Sequence, residues 1–146
     1  MKTFEKLKKE LLTRAKNADA CQSGYAMGLR SNTKADLLKA ITENWFWVLE
    51  DAKIVDAEYL EDNFTEEELS QAGIYTKNTH EVRTSSFACG SATVKAYGSA
   101  TVKACGNSYV EDCTGNIRPE SDYAIVKDYY NHKIYIKKGE FEIIEV

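Results

Sequence analysis

The stretch SATVKAYGSATVKACG, residues 91–106, is one eight-residue phrase written twice, and the two copies differ only at Tyr97 and Cys105. A degenerate copy lies on each side, so four consecutive octads align: RTSSFACG (83–90), SATVKAYG (91–98), SATVKACG (99–106) and NSYVEDCT (107–114). Apolar and polar residues alternate within the octads, which is typical of β-strands. The repetition predicts an architecture in which one octad is one structural unit.

Two arrangements can build strands and turns from this repeat: an antiparallel meander with hairpin turns, or a parallel solenoid. In a hairpin closed by Gly98 and Ser99, Val94 lies opposite Lys103, so neither face is consistently apolar. In a solenoid the even repeat keeps every inward position apolar, and we therefore favour the solenoid. Its lumen is predicted to hold Ala92, Val94, Ala96, Ala100, Val102 and Ala104, with Thr93, Lys95, Tyr97, Thr101, Lys103 and Cys105 pointing outward.

The small lumen residues predict a narrow coil, with Gly98 and Gly106 at corners where a side chain obstructs a tight turn. The repeat leaves the number of octads per coil open. Two octads would stack Cys89 near Cys105 and Tyr97 near Cys113, whereas three would stack Cys89 near Cys113.

Residues 1–73 instead show helical spacing and helix caps. Thr3, the 31–33 segment and Asp56 are placed as N-caps, Thr65 and Glu68 form a capping box, and Gly73 ends the last helix. One helix is predicted to run from the 31–33 cap to Leu49 on the spacing of Leu37, Leu38, Ile41, Trp45 and Val48.

The predicted fold is therefore α+β, with a small helical N-terminal subdomain (1–73) capping a short parallel β-solenoid, or β-helix, with closing strands (74–146). The octad frame breaks at 118–120, which predicts a loop. Alternation then resumes in YAIVKDYY (123–130), NHKIYIKK (131–138) and, after Gly139, EFEIIEV (140–146), which are predicted to close the solenoid.

Composition narrows the class of protein. A net charge of −4 over 146 residues argues against a general nucleic-acid binder. The charged start, MKTFEKLKKELL, lacks the apolar centre of a secretion signal, and no apolar run is long enough to span a bilayer, so a cytoplasmic location is predicted. The four cysteines lack C-x-x-C spacing, so free thiols, no metal site and no cofactor are expected.

Runs such as ATVKAYGSATVKACG (92–106) resemble the octapeptide-repeat proteins of gut Bacteroidales, their phages and mobile elements. DLLKAITENWFWVL (36–49) and the tail from Tyr123 onward look like the helical front and closing segment of those proteins. The group has no established activity, so the resemblance implies a fold and a setting. That setting is accessory genes of phages and mobile elements, in which small proteins often bind host machinery.

Candidate chemistry is sparse. His80 and His132 lack partners at catalytic spacing and are interpreted as surface residues. The candidate acids for general acid–base catalysis are Glu111, Asp112 and Asp122. However, Asp112 occupies the position that is alanine in the two preceding octads. It is predicted to point inward and to bond a loop or corner amide. In the aromatic cluster at 45–47, only part can face the core.

The leading hypothesis is a non-enzymatic protein-binding module without direct nucleic-acid or membrane contact. Its partner is a protein, with a host defence complex such as CRISPR as the specific form that the setting implies. The alternatives are a structural solenoid that self-assembles through its ends and a hydrolase with carboxylates between the two halves. The candidate binding residues are Thr93, Lys95, Tyr97, Thr101, Lys103 and Tyr109 on the solenoid, and Glu66 and Glu67 on the acidic helical face.

Overall fold

The computed structural model describes residues 1–137 and divides into two compact units, Met1–Ala72 and Gly73–Val146, one residue from the predicted boundary. The first unit is helical. No helix within residues 1–137 has both the length and the apolar character to cross a membrane. The helical segments are α1 (Phe4–Asn17), α2 (Gln22–Arg30), α3 (Lys34–Glu43), a π-helical turn (Trp47–Asp51), α4 (Ala57–Asn63) and α5 (Glu66–Gln71).

The helix caps lie where the sequence predicts them. Thr3 accepts a hydrogen bond from the amide of Lys6, and Asp56 accepts one from the amide of Tyr59 at 2.8 Å. Capping boxes begin the helices after Thr33 and Thr65. These side chains satisfy amides that have no partner inside the first helical turn.

The single helix predicted up to Leu49 is wrong, because α3 ends at Asn44. The side chain of Asn44 donates to the carbonyl of Ala40 at 2.9 Å, and its own amide bonds the carbonyl of Ile41 instead. The side chain thus occupies the acceptor that the next α-helical bond requires. A wider π-helical turn follows, and Trp45 is buried while Phe46 is exposed.

The second unit is a β-solenoid with two walls. The short wall has the strand order β1-β3-β5, and the long wall has the order β2-β4-β6-β7-β8. All neighbouring strands are parallel except β7 and β8, which are antiparallel. The strands are β1 (Ile74–Tyr75), β2 (Thr79–Val82), β3 (Ser85–Ala88), β4 (Thr93–Ala96), β5 (Thr101–Ala104), β6 (Tyr109–Asp112), β7 (Ile125–Asp128) and β8 (Lys133–Ile136).

Each regular coil contains two octads, one on each wall. Thr93 on β4 pairs with Tyr109 on β6, and Ser85 on β3 pairs with Thr101 on β5, sixteen positions apart in both cases. This register settles the number of octads per coil that the sequence leaves open. It also confirms winding over hairpins, because the neighbours along each wall are parallel.

The lumen is filled by the small apolar side chains that the repeat predicts. Val94 and Val110 are fully buried and lie opposite each other in adjacent coils. At the corner, a Cβ on Gly106 would lie 2.9 Å from the backbone nitrogen of Gly90, so only glycine fits there. The solenoid core comprises Val82, Ala88, Val94, Ala96, Ala100, Val102, Ala104, Val110, Ile117, Ala124 and Val126.

The outward orientation predicted for Cys105 is wrong: the residue is 0% exposed, and Cys89, one coil earlier, is buried as well. Adjacent coils enclose this corner. The amide of Cys105 donates to the carbonyl of Ala88, and the hydroxyl of Ser121 donates to the carbonyl of Gly106 at 2.7 Å. Alternation therefore ends with the short-wall strands, where the residue that follows the strand is buried, whereas Tyr97 and Cys113 after the long-wall strands are not.

The predicted loop at 118–120 belongs to a further coil, which follows the two coils built from the four octads and is called the third coil below. Pro119 forms a parallel bridge with Ala104, and Ile125 on β7 pairs with Tyr109 sixteen positions earlier. The coil period thus continues where the octad sequence is no longer recognisable. YAIVKDYY, predicted to be a closing strand, supplies a parallel strand of the long wall instead.

The antiparallel strand β8 lies within the predicted strand NHKIYIKK and ends the described part of the long wall. The last predicted strand, EFEIIEV, lies outside the described residues.

We predict that Ala104→Leu lowers the free energy of unfolding by about 1–3 kcal/mol, because Ala104 is fully buried and the lumen has no room for three more carbons. The matched control is Lys103→Leu at the exposed neighbouring position, with an expected change within about 0.5 kcal/mol. Urea unfolding followed by circular dichroism measures both variants. Equal losses would contradict the assignment of inward and outward positions.

Candidate functional site

The solenoid carries the predicted binding residues on two different walls. Thr93, Lys95 and Tyr109 lie on the outer face of the long wall, and Tyr97 follows β4 at its edge. Thr101 and Lys103 lie on the outer face of the short wall. The six residues do not form one surface, because successive octads lie on alternate walls.

The acidic helical candidates, Glu66 and Glu67, are exposed in the first turn of α5. Negative side chains at this end of a helix stabilise the helix itself. Their position is thus explained by α5 before any partner is invoked.

A column of alternating charge crosses the outer face of the long wall. Glu81, Lys95, Glu111 and Lys127 occupy one register position on β2, β4, β6 and β7, in that order. We call these four residues the charge column. Within the described chain, no ion pair joins any two of its members. Glu81 is exposed, and Lys95, Glu111 and Lys127 are partly exposed.

A row of four residues, three of them aromatic or cationic, borders the charge column where the strands end. Arg83, Tyr97, Cys113 and Tyr129 each follow the last residue of a long-wall strand. The Arg83 guanidinium lies 5.3 Å from the centroid of the Tyr97 ring, and the Lys127 ammonium lies 4.8 Å from that of Tyr129. A hydrogen bond with Tyr129 raises the pKa of Lys127. The row thus joins cations to the faces of aromatic rings.

Apolar residues that the sequence analysis did not select complete this outer face. Ile125 on β7 is 40% exposed, Ile134 on β8 is 41% exposed, and Tyr129 beyond β7 is 43% exposed. Ile125 pairs in register with Tyr109, whose pKa is raised by burial and by the Glu111 carboxylate. The alternation in YAIVKDYY and NHKIYIKK indicates that these residues lie in strands. Their place on this face follows only from the third coil, which the sequence analysis did not predict.

Two carboxylates lie inside the solenoid at equivalent positions of adjacent coils. Asp112 on β6 pairs with Asp128 on β7, and the two residues are 0% and 1% exposed. They continue the column that holds Ala96 in the preceding coil. Buried carboxylates need hydrogen-bond donors, and each finds them in a different turn.

Asp112 holds the turn that begins the irregular part of the third coil. Its Oδ1 accepts hydrogen bonds from the amide and hydroxyl of Thr114, both at 2.7 Å, and from the amide of Gly115. Its Oδ2 accepts one from the amide of Ile117 at 3.0 Å. The prediction that Asp112 points inward and bonds loop amides is confirmed.

Asp128 holds the turn between β7 and β8. Its carboxylate accepts hydrogen bonds from the amide and the side chain of Asn131, both at 2.8 Å. Burial acts to raise the pKa of Asp128, but the hydrogen bonds from Asn131 and the nearby Arg118 guanidinium outweigh it, and the pKa is lowered. The charged form is thus the one that the turn stabilises.

Within residues 1–137, the remaining candidate acids and histidines of the sequence analysis lie on separate segments. Glu111 points outward in the charge column, and Asp122 lies on an exposed segment. His132 is exposed in the β7–β8 turn as expected, whereas His80 is half-buried and stacks on Tyr75 with ring centroids 4.3 Å apart. Residues 1–137 contain no cluster of three or more His, Cys, Asp or Glu side chains that could hold a metal ion.

The helical unit contains a small apolar cavity of about 70 Å³, lined by α1, α2 and α3 together with the π-helical turn. Cavities known to hold a small aromatic ligand are about twice as large. The lining includes Leu11, Gly24, Ile41 and Trp47. We interpret it as a packing gap between helices.

Comparisons of the chain with protein-family models, with curated proteins and with solved structures gave no match. Function is therefore argued from the geometry of the two units alone.

Removing the Asp112 carboxylate should leave four donors without an acceptor inside the solenoid. We expect Asp112→Ala to lower the free energy of unfolding by about 3 kcal/mol, because an unsatisfied buried donor costs about 1–3 kcal/mol and part of the turn can relax. Glu111→Ala, one residue away and facing outward, is the control, with a change of about 0.5 kcal/mol or less. Urea unfolding measures both, and comparable stability of the two variants would refute the structural role of Asp112.

The lowered pKa of Asp128 links stability to pH. Its folded pKa lies below the ordinary value of 3.8, so its stabilising contribution is complete above that pH and is lost as the pH falls toward the folded value. We expect Asp128→Asn to be less stable by about 1–2 kcal/mol at neutral pH. The variant should also lose less stability on acidification than the wild type.

Thermal unfolding from about pH 6 to about pH 2.5 tests this linkage, because Asp128 takes up its proton at a higher pH in the unfolded chain than in the folded chain within that range. Glu81→Gln, which removes an exposed carboxylate from the same wall, should keep the acid sensitivity of the wild type. An unchanged pH profile in Asp128→Asn would disprove the linkage.

Proposed function

We propose that the protein is a non-enzymatic protein-binding module whose binding surface is the outer face of the long wall. The observation that supports this proposal is the arrangement of that face, in which exposed apolar and aromatic side chains adjoin a row of solvent-facing charges. Ile125, Ile134 and Tyr129 are each about two-fifths exposed. Protein interfaces combine aromatic and apolar anchors with a charged surround in this way.

The short wall offers less for a partner to bind. Its outer face presents Ser85, Thr101, Lys103 and the half-buried Phe87, and the hydroxyl of Thr101 is already bonded to that of Ser85 at 3.0 Å. Small hydroxyl side chains bury little apolar area, so a contact there would gain little from desolvation. The long wall is thus the better candidate.

The interior acids favour binding over catalysis. A catalytic carboxylate must reach a substrate, whereas Asp112 and Asp128 are buried and direct their oxygens at turn amides and at Asn131. We therefore assign them to the fold and place no reaction on them.

Self-assembly through the solenoid ends is a weaker candidate. Within the described residues the long wall ends in β8, which runs antiparallel to β7 and so interrupts the parallel stacking of the coils. The role of a phage or mobile-element inhibitor of a host defence system stays a prediction from the sequence.

The binding proposal predicts that one substitution on the long wall removes partner capture. Ile125→Arg places a charge among the apolar residues, and we expect at least a tenfold loss of the captured partner, since a central anchor contributes about 1–2 kcal/mol or more. Thr101→Arg is the matched control, because it occupies the same octad position on the short wall. The measurement is affinity capture from a lysate of the source organism, quantified by mass spectrometry.

Circular dichroism must first show that both variants are folded. Capture that is lost equally in Ile125→Arg and Thr101→Arg, or that survives in both, would count against the long wall as the binding surface.

A further inference from the structure

We infer that the long wall binds a second copy of this chain, face to face, through a two-fold axis that runs along the strands between β4 and β6. This inference rests on the proposed function and names a partner for the same surface. It is drawn from the order of the charges on the wall, since a surface that binds its own copy must be complementary to itself under the two-fold rotation.

The charge column meets this condition. A two-fold axis along the strand direction reverses the order of the strands, so β2 faces the partner's β7 and β4 faces the partner's β6. Glu81 then lies opposite a partner Lys127, and Lys95 lies opposite a partner Glu111. All four charges of each copy therefore meet the opposite sign.

The other in-plane two-fold axis, perpendicular to the strands, fails the same test. It keeps the order of the strands, so Glu81 would face Glu81 and Lys95 would face Lys95. Like charges placed opposite each other disfavour association. The alternation thus selects one orientation of the second copy.

The row beyond the strand ends fits the selected orientation. The reversal brings Arg83 opposite a partner Tyr129 and Tyr97 opposite a partner Cys113. Within one copy Arg83 already lies over the Tyr97 ring. A guanidinium is therefore placed where a second aromatic ring would arrive, and cation–π contacts of this kind favour arginine.

The charges of the column are available for such a contact. Glu81, Lys95 and Glu111 form neither a hydrogen bond nor an ion pair with a side chain of the described residues, and the Lys127 ammonium lies over Tyr129 at the margin. Glu81, Lys95 and Glu111 can therefore pair across the interface without breaking a side-chain bond, whereas Lys127 would have to share its ammonium between Tyr129 and the partner's Glu81.

The size of the wall sets the strength of the contact. The four strands that carry the charge column, spaced about 4.8 Å apart and each about 13 Å long, give roughly 250 Å² per copy. A stable interface buries about 800 Å² per partner. We therefore expect a weak dimer that forms at high protein concentration and dissociates in high salt, because exposed charges are screened.

Charge-reversal variants, measured singly and as a mixture of two different variants, test the inference. Lys95→Glu places two glutamates opposite each other at two symmetric sites, and Glu111→Lys does the same with two lysines. Each variant alone should associate at least tenfold more weakly than the wild type, since two attractive pairs become repulsive at each dimer interface. An equimolar mixture of the two variants should regain association, because every pair is then of opposite sign.

The matched control is Lys103→Glu, which carries the same change in an identical TVKA strand on the short wall. It should associate like the wild type. Sedimentation velocity over a wide range of protein concentration, at low and high salt, is the measurement, with circular dichroism to show that every variant is folded. Rescue by mixing cannot come from stability within one chain, since neither chain is altered by mixing.

The inference is overturned by a wild type that stays monomeric at every concentration, by equal effects of Lys95→Glu and Lys103→Glu, or by a mixture that does not recover. These results leave the proposed function standing if Ile125→Arg still removes a captured protein. If long-wall variants change neither capture nor self-association, the proposed function fails as well.

Discussion

The second unit depends on one geometric constraint: a coil of sixteen residues must close around a narrow lumen that is filled mainly by alanine and valine. Side chains such as Ala92, Val94 and Ala104 fill that space with almost no exposed area. Because the period is even, the same residue types return to the interior in every coil. The outer positions are released from packing, so their chemistry can vary while the coil keeps its shape.

The same constraint explains why the third coil needs carboxylates inside. After β6 the octad sequence ends, and the segment around Ile117 and Pro119 takes the place of a regular short-wall strand. The backbone amides of the turn after Asp112 bond that carboxylate and not a neighbouring strand. Asp112 supplies acceptors to those amides, and Asp128 does so for the turn into β8. The buried charges are compensated by the hydrogen bonds that they order, which is the condition under which such groups persist in an interior.

Sequence reasoning located the elements whose determinants are local. Caps such as Thr65 with Glu68 involve residues three positions apart, and the alternation of apolar and polar residues can be read directly within each octad. It failed where the determinant is distant in the chain or is a side chain that competes with a backbone hydrogen bond. Cys105 is buried beside a corner whose Gly106 carbonyl accepts a hydrogen bond from Ser121 in the next coil, and α3 ends where the Asn44 side chain replaces a backbone donor. The candidate surface was split for the same reason, because the number of octads per coil decides which residues are neighbours.

Lys95 and Lys103 stand in identical strands yet face opposite directions, because each octad advances the chain by half a coil. Gain or loss of a single octad would therefore move every later residue to the other wall, replacing the whole pattern of the outer face at once. Gain or loss of two octads would lengthen or shorten the wall and leave each residue on its side. The unit of evolutionary change that preserves the surface is thus the sixteen-residue pair, although the unit visible in the sequence is the octad.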